Sequence, residues 1–145
     1  MLYNVTVGSN QLDKAKEFYD ELFRCIGVER AMDLVKGGAC WGFGTTPEGR
    51  FRTMFVVLSP ENGQPATVGN GSMVGLVFDT PEQVDAIYAK ALELGGSSEG
   101  EPGLRETNVP GTYIAYFRDI EGHKFAAMAR VTPELAASGT LRSIR

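Results

Sequence analysis

The feature that most constrains this chain is an internal repeat. Setting Tyr19 on Tyr88, a shift of 69 positions, brings Val5 onto Val74, Val7 onto Leu76 and Phe18 onto Ile87. The same shift brings Phe23 onto Leu92 and Gly27 onto Gly96. Each copy opens with a short apolar strand and runs into an amphipathic helix that stops at glycine. A period of this length means one supersecondary unit used twice, with neither copy able to bury its apolar face alone.

In the first copy, Val5 and Val7 alternate with Asn4, Thr6 and Gly8, the period of a half-buried strand. Asn10 is the expected helix cap, with Asp13 completing an imperfect capping box. Leu12, Ala15, Phe18, Tyr19, Leu22, Phe23 and Ile26 recur in steps of three and four, which is one apolar helical stripe. Gly27 supplies the left-handed stop. Strands are expected at 28–35, 39–44 and 51–58, with turns at Lys36-Gly37-Gly38 and Thr46-Pro47-Glu48-Gly49. The second copy repeats the order. A strand runs over 73–78, and Thr80-Pro81-Glu82-Gln83 is a strong helix start. Val84, Ile87, Tyr88, Ala91, Leu92 and Leu94 form the stripe, closed by Gly95-Gly96. Residues 97–103 make a weak strand. Residues 112–118 and 124–130 are strands joined by a hairpin turn at Asp119-Ile120-Glu121-Gly122.

The expected organisation is therefore a first βαβββ module over 1–58, a linker over 59–71, a second βαβββ module over 72–130, and a tail over 131–145 with a short helix from Thr132. The fold class is α+β: two modules in tandem, forming a curved mixed sheet with the helices outside and a concave cup inside. A cup of that kind suits a small molecule.

Composition narrows the partners. The 145 residues are 43% hydrophobic and 22% charged, with a net charge of -4, an ordinary globular balance. No basic cluster would neutralise a phosphate backbone, which argues against nucleic acid. No apolar run approaches the roughly 20 residues that span a bilayer. The N-terminus enters a strand pattern without a charged leader, so the expected location is the cytoplasm. Two cysteines, Cys25 and Cys40, lack CxxC spacing and read as reduced and structural.

The segments that carry a family likeness are VTVGSNQLDKAKEFYDELF at 5–23, GNGSMVGLVF at 69–78, VDAIYAKALELGG at 84–96, EGEPGLR at 99–105 and YFRDIEGHKFAAM at 116–128. In content and order they resemble the vicinal oxygen chelate superfamily, which includes glyoxalases, bleomycin-resistance proteins and extradiol dioxygenases. The resemblance implies one divalent metal, held by residues from the first and last strands of each module. It implies histidine where this chain has Asn4 and Met73, glutamate where it has Ala126, and a fourth ligand on the strand 51–58. That strand holds no His, Asp or Glu. All four positions are vacated, so no metal and no other cofactor is expected. A catalytic divalent ion wants about three His or carboxylate ligands. The chain has one histidine, His123, expected to be solvated in a polar turn.

By alternation, Asn4, Thr6, Met73, Gly75, Ala126 and Met128 are expected to floor the cup. Trp41, Arg52, Met54, Phe55, Tyr113 and Tyr116 are candidates for its walls. No catalytic residue stands out. The functional expectation is a metal-free protein that binds a small apolar or aromatic molecule and pairs as a homodimer. Two alternatives remain. One is a glyoxalase-type lyase or dioxygenase-like enzyme with an atypical site. The other is an interaction module that kept only the fold.

Overall fold

The computed structural model describes residues 2–106 and 109–144. It divides into two compact units, Met1–Ser72 and Met73–Arg145. Both have the order βαβββ, so the chain is an α+β protein of two tandem modules.

In the first unit β1 (Asn4–Gly8) leads into α1 (Leu12–Arg24), then β2 (Arg30–Asp33), β3 (Ala39–Thr45) and β4 (Phe51–Leu58). The sheet order is β1-β4-β3-β2, with β1 parallel to β4 and the other pairs antiparallel. Helix α1 lays Ala15, Phe18, Tyr19, Leu22 and Phe23 on the sheet. Their partners are aromatic. Tyr19 lies 4.7 Å from Phe55 and 5.6 Å from Trp41, ring to ring, and Phe23 lies 5.1 Å from Phe43. Trp41 also donates its indole N–H to Asp20 at 3.2 Å, and Asp20 pairs with Arg30 as well.

Three local expectations change here. Asn10 does not cap α1. Its amide instead brackets the backbone of Ala66, donating to the carbonyl at 3.0 Å and accepting from the N–H at 2.7 Å. Gly8 makes room for that segment: a Cβ there would lie 2.9 Å from the Ala66 side chain. The connection after β4 is thus pinned back onto the first unit as far as Ala66. The strand expected at 28–35 shortens to Arg30–Asp33, because Val35–Gly37 turns as a single 3-10 helix. Gly27 does stop α1, at φ 78°, and the Val28 N–H returns to the Phe23 carbonyl.

The second unit contains β5 (Val74–Phe78), α2 (Pro81–Glu93), β6 (Ser97–Arg105), β7 (Thr112–Arg118), β8 (Lys124–Arg130) and α3 (Pro133–Ala137). The order β5-β8-β7-β6 repeats the first sheet, again with one parallel pair. The Thr80/Gln83 capping box forms in both directions, with Pro81 in the first turn. Asp119 holds the hairpin, its Oδ1 accepting from the N–H groups of Glu121 and His123. His123 is buried at 7% exposure, not solvated, because that tight turn folds it inward. The weak strand at 97–103 is a nine-residue strand, irregular at Gly100 and Gly103. The tail adds to its edge. Leu104 donates its N–H to Arg142 and accepts from Ile144, a short parallel bridge.

The repeat holds in the backbone better than in the core. Tyr19 and Phe23 are buried, but their counterparts Tyr88 and Leu92 are not, and Leu92 is 36% exposed. The second core is built instead on Ala91, Ala115, Ala127 and Ala129, with Phe117 stacked on Phe125 at 5.3 Å.

Tyr113 faces α2 and donates its hydroxyl to Asp85 at 2.8 Å. Burial, reinforced by that acceptor, pushes its phenol up to about 12 from the ordinary 10. An unfolded tyrosine ionises first, so this contribution is complete below pH 10 and is lost as pH rises from about 10 to 12. The loss reaches about 2–3 kcal/mol. Urea midpoints at pH 9 and 11 should therefore differ less in Tyr113→Phe than in the parent. Equal shifts in both would show that the phenol does not ionise abnormally.

Candidate functional site

Each sheet has one face under its helix and one face free of it. In the first unit, Val5 and Val7 share the helix side with Trp41, Phe43, Phe55 and Val57. Trp41 and Phe55 are 0% and 2% exposed and lie against Tyr19 and Phe23 of α1. They are core, not walls of a binding site, because a residue paired with Val5 in register must share its side. Tyr113 is corrected in the same way by its bond to Asp85.

The helix-free face of the first sheet carries Asn4, Thr6, Met54, Val56 and Cys40. Asn4 donates its side-chain amide to the Thr6 hydroxyl at 2.8 Å, so the two polar groups serve each other along the strand. Burial pushes the Cys40 thiol up, away from reactivity. Cys25 donates its thiol to the Leu22 carbonyl. Arg52 is exposed and donates Nε to the Thr45 carbonyl at 3.1 Å.

The helix-free face of the second sheet carries Gly75, Val77, Ala126, Met128, Ile114 and Tyr116 by register, with Met73 just before its first strand. Met73 is 50% exposed and Val77 74%, while Ala126 is fully buried in the central strand. At one end of this face stands a charged group that sequence reasoning missed. Arg105 places its guanidinium 5.4 Å from the centre of the Tyr116 ring, and the Lys124 ammonium lies 5.3 Å from the same ring. Glu99 accepts from Arg118 at 2.7 Å and from Lys124 at 3.3 Å. The Arg118 hydrogen bond, then that of Lys124, holds the Glu99 carboxyl below its ordinary range. Gly100 faces Tyr116 across the β6–β7 pair, and a Cβ on it would lie 2.8 Å from Arg105 Nη2 and 3.2 Å from the Tyr116 ring. The signal was available in EGEPGLR: glycines inside a strand mark a bulge or a close approach.

The two registers give a counterpart on β4 for Ala126. Thr6 pairs with Val56 in β4, and its repeat counterpart Gly75 pairs with Ala126 in β8. Val56 is thus the counterpart of Ala126. The four places hold Asn4, Val56, Met73 and Ala126: one amide, one thioether and two hydrocarbons. That set does not fit a hard or borderline divalent ion. Among the described residues, no three His, Cys, Asp or Glu side chains gather closely enough to hold a metal elsewhere. Nor is any described helix long and apolar enough to cross a membrane.

Two βαβββ units in tandem, each with a helix-free sheet face, define a class of tandem-module proteins, and comparison places the chain within it. The family model for the glyoxalase/bleomycin resistance protein/dioxygenase superfamily matches residues 3–127. A glyoxalase/bleomycin resistance protein from Albidiferax ferrireducens T118 is 37% identical with a TM-score of 0.78, over 90% of this chain and 99% of that one. The fold is shared with the hypothetical protein SA1046 from S. aureus at 24% identity and TM-score 0.63, over 89% and 92% of the two chains. It is shared also with a lactoylglutathione lyase from Agrobacterium tumefaciens at 22% and 0.62, over 94% and 96%. Comparison with curated proteins gives no match. The chain belongs to the glyoxalase/bleomycin resistance protein/dioxygenase superfamily.

Proposed function

We propose that this protein binds a small apolar or aromatic molecule without the help of a bound metal, acting as a cytoplasmic homodimer. The observation that carries the reading is the donor set Asn4, Val56, Met73 and Ala126, which offers neither imidazole nor carboxylate at the four places. Each of those places is neutral in charge. Met73 presents a polarizable, adaptable thioether on an exposed surface, and the apolar Val77 is exposed further along the same segment. Edge strands β1 and β5, each ending its own sheet, support a partner chain.

Protein purified without chelator should carry well under one zinc, nickel, iron or manganese per chain by elemental analysis. It should also show no metal-stimulated turnover of the methylglyoxal–glutathione adduct. About one tightly held transition metal per chain would overturn the reading and favour an enzyme with an atypical site.

A further inference from the structure

We propose that the helix-free face of the second sheet selects an anionic ligand, taking its carboxylate or sulfonate at Arg105 and Lys124 while its rings lie on the neighbouring apolar surface. This rests on the small-molecule reading above and gives the ligand a charge.

Three observations converge on it. The first is a charge count. Arg105, Arg118 and Lys124 crowd the Tyr116 end of the face, and among the described residues the one carboxylate paired with them, Glu99, is shared by Arg118 and Lys124. The cluster is therefore net positive within a chain of net charge -4. The second is an orphan donor. Arg105 Nε is buried and has no hydrogen-bond partner among the described residues, although Nη2 reaches the Glu101 carbonyl at 3.0 Å. A charged donor left unsatisfied out of water is costly, and native structures generally supply an acceptor. An oxyanion is the acceptor that a guanidinium fork best fits. The third is construction. The guanidinium lies against the bare backbone of Gly100, where a side chain would strike it, and shares the Tyr116 ring with Lys124. Two like charges held at one ring repel each other, and a bound anion relieves that repulsion. Met128, half-buried, and Val77, exposed and paired with it, lie on the same face and offer apolar surface for the rest of the ligand.

The test uses two probes with nearly the same ring system: anilinonaphthalene sulfonate, which is anionic, and N-phenyl-1-naphthylamine, which is neutral. The folded parent should bind the sulfonate at least tenfold more tightly, with affinity falling as salt rises. Arg105→Gln should weaken sulfonate binding about tenfold and leave the neutral probe unchanged. Lys124→Gln should weaken it several-fold, which keeps the test alive if Arg105→Gln does not fold. Glu99→Gln should tighten it, an effect that a purely structural role for Glu99 would not produce. Arg50→Gln, in an exposed turn of the first unit, should change nothing. Equal binding of both probes by the parent, or equal loss of both in Arg105→Gln, overturns the charge selection and leaves the binding reading standing. Failure of the parent to bind either probe overturns both.

Discussion

Trp41→Ala should be the most damaging single side-chain truncation in the first unit, lowering stability by about 3–5 kcal/mol. The indole is fully buried and meets Tyr19, Phe23 and Phe55 at ring distances of 5.6, 5.7 and 6.1 Å. No neighbour is small and mobile enough to close the space, so a cavity term adds to the lost transfer energy. The Arg30 guanidinium, 5.9 Å from the same ring, loses its aromatic surface, and Asp20 loses a donor. Urea denaturation followed by far-ultraviolet circular dichroism is the measurement. A loss below about 1 kcal/mol would mean that Trp41 is not packed under α1, and would return it to the set of ligand-facing residues.

Gly96→Ala should cost about 2–4 kcal/mol, a large effect for one methyl group. Its Cβ would stand 2.4 Å from the Arg118 carbonyl oxygen and 2.7 Å from that of Ala91. Both obstacles are backbone, one in β7 and one in α2, so relief requires parting the helix from the strand. Gly75→Ala is the matched control. Nothing lies within 4 Å of a Cβ there, and the strand gains from losing a glycine, so stability should hold or rise by about 0.5 kcal/mol. If the two substitutions prove equally mild, the close approach of Gly96 to α2 and β7 is wrong.

Gly96 also shows what a sequence can and cannot reveal. The repeat placed it opposite Gly27 and identified both as helix stops. Only Gly27 takes a left-handed φ, and in the second copy that duty falls to Gly95 at φ 98°. The stop was legible; which glycine turns and which yields space was not, because close approach is a tertiary fact. Register was similar. Alternation read from Val5 and Val74 assigned the faces of β1 and β5 correctly. It could not say that Phe55 stands beside Val5, since pairing between distant strands leaves no local trace. Alternation alone therefore sets Trp41 and Phe55 among the walls and leaves the β4 counterpart of Ala126 open. The Arg105 group was hidden for a further reason. With five glycine or proline residues at 95–103 the segment reads only as a weak strand, and its irregular pairing breaks the alternation that would show Arg105 facing Tyr116.

The unequal cores have a spectroscopic consequence. The chain contains one tryptophan, and it lies wholly within the first unit, quenched or dequenched by what happens there. The second unit, packed largely on alanine, has no indole to report on it. Tryptophan emission therefore follows one half of the molecule, while the far-ultraviolet signal sums both. Superimposed unfolding curves from the two methods would mark the halves as a single cooperative body; separated curves would give each half its own melting point.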